Sequence, residues 1–78
     1  MSAEIGRLNA LGELRGLAGL SLQVSAAHAE ISTNTLWKYE LGYGKLLPEQ
    51  EEFLGRLYRA RINARLKRVV SAIDAETG

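Results

Sequence analysis

The spacing of apolar residues constrains this chain more than any other feature. Ile5, Leu8, Leu11, Leu14 and Leu17 follow one another at intervals of three, so each is a neighbour of the next on a helix with 3.6 residues per turn. Nowhere do apolar and polar residues alternate for long enough to make a sheet. There is no repeat and no low-complexity tract. The expected fold class is all-α.

Punctuating residues divide the helices. A first helix is expected from about Ser2 to Ala18, ended by Gly19, with Gly6, Gly12 and Gly16 costing it about 1 kcal/mol each relative to alanine. Ser21 has the chemistry to cap a short second helix, about Leu22 to Ala29, by accepting a hydrogen bond from the first turn. Ser32 does the same for a third, about Thr33 to Leu41, closed by Gly42. The stretch "YGKLL" is a loop, and Pro48 opens a last helix running to about Ala75.

Seventy-eight residues make one domain over residues 1–78, and at that size only about 60–65% of the unfolded surface is buried. With no cysteine and one histidine, His28, a disulfide framework, a thiolate metal site and a His-rich site are all excluded. No cofactor is expected, and a reducing cytoplasmic setting fits. The apolar runs are short, and "MSAEIGRLNALG" lacks the cationic-then-apolar pattern of a signal peptide. These features read as a soluble intracellular protein without membrane partners. No pair of groups has the spacing for acid–base or nucleophilic chemistry, so no enzyme is expected.

Net charge is only +1, but the cations are segregated. Arg56, Arg59, Arg61, Arg65, Lys67 and Arg68 fall within thirteen residues that hold no acid. Glu49, Glu51 and Glu52 precede them, where carboxylates complement the dipole of a helix opened by Pro48.

Two short serine-capped helices separated by about three residues and held against a longer one form a helix-turn-helix layout. In that motif the second short helix enters the DNA major groove with its N-terminal residues at the base edges. Leu36 and Tyr39, with Ile31 ahead of them, make the inward stripe of the third helix, leaving Thr33, Asn34, Trp37, Lys38 and Leu41 outward. Asn34 can pair bidentately with adenine, Lys38 can reach guanine or a phosphate, and Thr33 and Thr35 can offer a hydroxyl or a methyl. Ser, Thr and Asn at a helix start are also ordinary caps, and on these residues alone both readings stand.

The residues also resemble the Cro/cI-type (phage-repressor-like, XRE) helix-turn-helix family. In "LGELRGLAGLS", Leu11, Leu14, Arg15, Gly19, Leu20 and Ser21 fall on its pattern, followed by Ala26, Ala29, Ile31 and Ser32, then Thr35, Leu36, Tyr39, Glu40 and Gly42. The resemblance covers about Leu11 to Pro48 and implies a small lambda-repressor-like bundle. It implies base contacts from Thr33, Asn34, Thr35 and Lys38, and backbone contacts from Ser21, Gln23, Ser32, Trp37, Tyr43 and Lys45. Trp37 has two readings, stacking on a deoxyribose or packing against its own domain. The resemblance further implies a partly buried ion pair between Arg15 and Glu40 that orients the recognition helix. Three positions depart from the pattern: Leu22 stands where glutamine is usual, Glu30 holds a turn position often glycine, and Ser25 replaces a core leucine, leaving Val24 to take over its packing.

The last helix, residues 49–76, carries two apolar faces. Phe53, Leu54, Leu57, Ala60 and Ala64 are expected to close the core. Tyr58, Ile62, Leu66, Val69 and Ile73 form a second stripe that suits a dimer seam. The alternative is a break near Asn63 and a fifth helix that folds back. The implied function is a dimeric regulator of the phage or mobile-element repressor type on an inverted-repeat operator. Its rivals are an antitoxin whose last helix holds a toxin, and a protein-binding adaptor without DNA affinity, favoured by the few cations near the third helix, Lys38 and Lys45.

Overall fold

The computed structural model describes residues 8–77, with side chains through Ile73. The described residues form four helices and no strand: α1 (Ala10–Ala18), α2 (Leu22–Ala29), α3 (Thr33–Glu40) and α4 (Pro48–Thr77). Ile5, Gly6 and the expected start of the first helix at Ser2 lie outside the described residues. Within them the helix begins later than its leucine spacing suggests. Asn9 is extended, and its Oδ1 accepts the Gly12 N–H at 2.9 Å, so an N-cap sits inside the apolar repeat and Leu8 precedes the helix.

The expected caps are otherwise in place. Gly19 ends α1 in the left-handed region at φ 74°, with the Leu20 N–H donating to the Arg15 carbonyl at 3.2 Å. The Ser21 hydroxyl accepts from the Val24 N–H at 3.1 Å and the Ser32 hydroxyl from the Thr35 N–H at 3.0 Å. Between α2 and α3 Glu30 is left-handed, at φ 59°, a conformation that costs a residue with a Cβ about 1–2 kcal/mol. At the start of α4 the Gln50 side-chain oxygen reaches back to accept the Leu47 N–H at 2.9 Å, satisfying the backbone donor just ahead of the helix that Pro48 opens.

Ala18, Ala26, Leu36, Leu54 and Tyr58 form the buried centre, where all four helices meet. Tyr58, expected in the dimer seam, is fully buried. Its room comes from α2, where Ser25 is also fully buried while Val24 is 44% exposed. Val24 does not take over the packing of the missing leucine. A large aromatic residue from α4 occupies the space that a small residue on α2 leaves open, as close packing demands. Burial pushes the Tyr58 phenol above its ordinary pKa, with the nearby Ser25 hydroxyl acting the other way, though neither hydroxyl finds a hydrogen bond of good geometry.

The core stripe of α4 is therefore Leu54, Leu57, Tyr58 and Ile62, and it straddles the two faces expected from the sequence. Phe53, Ala60 and Ala64, expected in the core, are exposed, and so is Leu17 at the last turn of α1. Leu41 is half-buried rather than outward. The break near Asn63 does not occur: α4 is continuous, and from Asn63 to Ile73 every residue is exposed. Ile62 is the last α4 residue packed against the core.

Glu30→Gly should raise stability by about 0.5–1 kcal/mol, the relief of left-handed strain less the greater flexibility of the unfolded glycine chain. Urea unfolding with an unchanged m value checks it, and a lower midpoint would refute the strain account.

Candidate nucleic-acid interface

The carboxylate of Glu40, at the end of α3, has essentially no contact with solvent. A charge in that position is tolerable only if paired and hydrogen-bonded. Arg15 of α1 meets it twice, Nε to Oε2 at 2.8 Å and Nη2 to Oε1 at 3.0 Å, in the bidentate geometry open to a guanidinium. The remaining Nη1 donates to the Leu20 carbonyl at 3.0 Å, so one side chain joins α1, the α1–α2 turn and α3. The bond to Glu40, followed by the carboxylate's charge, raises the Arg15 pKa against the opposing effect of burial.

Three further contacts seat the same helix end. Asn9 donates its backbone N–H to the Glu40 carbonyl at 2.9 Å and its Nδ2 to the Tyr39 carbonyl at 3.0 Å, satisfying acceptors that a helix C-terminus leaves open. Gly12 lets the carboxylate approach, because a Cβ there would lie 3.2 Å from Glu40 Cδ and Oε1 and 2.8 Å from Leu8 Cβ. The Tyr39 hydroxyl donates to Glu51 Oε2 at 2.7 Å, tying α3 to α4. Burial first, and then this bond, pushes the Tyr39 phenol up to about 12.

Held from its inner side, α3 turns Thr33, Asn34, Thr35, Trp37 and Lys38 to solvent. Positions 33, 34, 37 and 38 share one face by helical geometry. Thr35 stands apart: its Oγ1 accepts from the Ser32 hydroxyl at 2.7 Å, so part of its hydrogen-bonding capacity is used in the cap and its own O–H stays available. Trp37 is neither buried nor fully exposed. The residue is 41% exposed and, with Leu22, Arg15, Thr33 and Asn34, borders an open cavity of about 590 Å³ between α2 and α3.

Ser21, Gln23 and Ser32 are exposed at the starts of α2 and α3, as are Tyr43 and Lys45 in the loop after α3. This surface brings together most residues expected to touch DNA. Its cations are sparse, because Arg15 is neutralised by Glu40 and Glu30 is exposed in the turn. The dense positive charge lies on α4, where Arg56 pairs with Glu52 at 3.8 Å between exposed groups.

Asn9, Gly12 and the Tyr39–Glu51 link escaped sequence reasoning. Only Asn9 carried a signal, as a cap-forming residue three positions before Gly12. Among the described residues no helix is long and apolar enough to cross a membrane, and no three His, Cys, Asp or Glu side chains cluster as for a metal ion. No protein-family model, curated protein or solved structure matches the chain.

Arg15→Ala should cost about 3–5 kcal/mol by stranding the buried Glu40 carboxylate, while Arg56→Ala should cost at most about 0.5 kcal/mol. Equal unfolding free energies for the two variants would remove the special status of the Arg15 pair.

The Tyr39 phenol titrates higher in the folded state than at its unfolded value of about 10. Its contribution is therefore complete below that pH and lost as pH rises to about 12. Tyr39→Phe should lower stability at neutral pH by about 1 kcal/mol and flatten the decline over this alkaline window. Parallel wild-type and variant curves of unfolding midpoint against pH would show that Tyr39 is not responsible.

Proposed function

We propose that the protein is a sequence-specific double-stranded DNA-binding regulator of the phage-repressor type, acting as a homodimer on an inverted-repeat operator. The observation that carries this reading is the construction of α3. Its outer face displays Thr33, Asn34, Trp37 and Lys38 contiguously in solvent, while a buried bidentate ion pair fixes it from behind. Short amide, hydroxyl and ammonium groups on a rigid helix suit base edges in a major groove. Asn34 addresses adenine, Lys38 addresses guanine or a phosphate, and Thr33 and Thr35 address thymine methyls or phosphates.

Ser21, Gln23, Ser32, Tyr43 and Lys45 flank that face as backbone contacts, and the start of α2 offers N–H groups without intrahelical partners to a phosphate. Trp37 borders the groove with Leu22, and its exposed surface is left for a deoxyribose. Half-sites separated by a whole number of duplex turns would mirror the two-fold symmetry of the protein.

A second reading rests on the same cavity. Few cations surround α3, and the groove beside Trp37 and Leu22 is mostly apolar, which suits a protein segment and favours an adaptor or antitoxin. Binding to generic duplex DNA separates the two. A regulator shows log affinity falling steeply with log salt, whereas an adaptor binds no duplex at any salt.

Once an operator is selected from random duplexes, Asn34→Ala and Lys38→Ala should each weaken it by about 1–3 kcal/mol and weaken scrambled duplex less. Equal losses on both duplexes would make these residues phosphate contacts.

A further inference from the structure

The outer half of α4 carries an apolar stripe that the bundle leaves largely uncovered. Leu66, Val69, Val70 and Ile73 are each more than half exposed, as is Leu17 beside them. Leu17, Ile62, Arg65, Leu66 and Val69 border an open groove of about 260 Å³. A half-helix of this length is marginal alone in water, and so much exposed apolar side chain on one face marks an interaction surface.

We infer that the occupant is a second copy of this chain, paired antiparallel along α4 with the two-fold axis between residues 69 and 70. This extends the dimeric reading above but does not need DNA affinity. In this register Leu66 meets Ile73 of the second copy and Val69 meets its Val70, so apolar positions face each other twice over. Ile73 of the second copy enters the groove beside Leu17.

Charge decides the direction. At 100° per residue Lys67 and position 74 flank the stripe on one side, and Arg65 and position 76 flank it on the other. Positions 74 and 76 are Asp and Glu. In an antiparallel two-fold pair each flank meets the same flank of the other helix. Lys67 then lies within two residues, about 3 Å along the axis, of the second copy's Asp74, and Arg65 lies equally near its Glu76. A parallel pair joins opposite flanks. It would set Lys67 beside Arg65 and Asp74 beside Glu76, which repel.

Sedimentation of the full chain without DNA tests the pairing. The wild type should run as a dimer at micromolar concentration, and Leu66→Glu with Val69→Glu should run as a helical monomer. Lys67→Glu should raise the dimer Kd by about tenfold at low salt, and adding Asp74→Lys should restore it. A monomeric wild type, or a dimer indifferent to the two glutamates, overturns the proposal. Tighter association on Lys67→Glu alone would establish the parallel arrangement, and failure of the Asp74→Lys rescue would overturn the register. Because no DNA is present, loss of this dimer and loss of the DNA-binding reading are separate results.

Discussion

The fold turns on a carboxylate placed where water does not reach. Glu40 closes α3 with its side chain directed at α1, and everything around it follows from the need to keep that charge paired. Arg15 supplies two hydrogen bonds and anchors itself on the Leu20 carbonyl, Gly12 clears space, and Asn9 satisfies the two carbonyls at the end of α3. An apolar pair of the same volume could give similar stability, because desolvating two charges consumes most of their attraction. What the ion pair adds is direction. A bidentate guanidinium accepts one orientation of a carboxylate, and that fixes the rotation of α3 about its own axis.

With α3 fixed at its end, the remaining core is a problem of volume in a small domain. Ser25 leaves a space on α2, and Tyr58 from α4 fills it, at the cost of two buried hydroxyls without well-aligned partners. The same aromatic residue sets how α4 rolls against the bundle. Once Tyr58 faces inward, Leu54, Leu57 and Ile62 come with it. Leu66, Val69 and Val70 are then carried past the edge of the core. The exposed stripe is a geometric consequence of burying Tyr58 on a helix that continues beyond the domain it packs against. Arg65 reinforces the arrangement by donating to the Leu17 carbonyl at 2.8 Å.

How much of this was legible in the sequence depended on range. Ser21, Ser32, Gly19 and Pro48 mark helix ends through local chemistry, and the four helices followed from them. The cap at Asn9 was hidden because the leucine spacing runs through it without interruption. Tyr58 was misplaced because a helical wheel reports which residues share a face and says nothing of where a neighbouring helix has left room. The space was on α2, at Ser25, thirty-three positions away in the chain. For the candidate interface, the exposure of Thr33, Asn34 and Lys38 followed from the inward spacing of Leu36 and Tyr39. The engagement of Thr35 with the Ser32 hydroxyl and the groove shared by Trp37 and Leu22 did not, since both depend on side-chain positions that spacing leaves undetermined.

The division of labour along α3 follows from these constraints. All the hydrogen bonds that seat the helix end come from Glu40, the Tyr39 carbonyl and the Tyr39 hydroxyl, on its inner side. Lys38 and Asn34 contribute no side-chain contact to that seat. Residues on the outer face can therefore change without disturbing the fold, and residues on the inner face can hold the fold without touching a ligand. Such a helix can be re-specified by substitution at Thr33, Asn34 and Lys38 while its rotation and height stay constant, which the proposed reading of base edges requires. The exposed Trp37 is the exception, because its indole also borders the groove with Leu22. A change there alters the exposed face of α3 and the groove between α2 and α3 together, so Trp37 belongs to both.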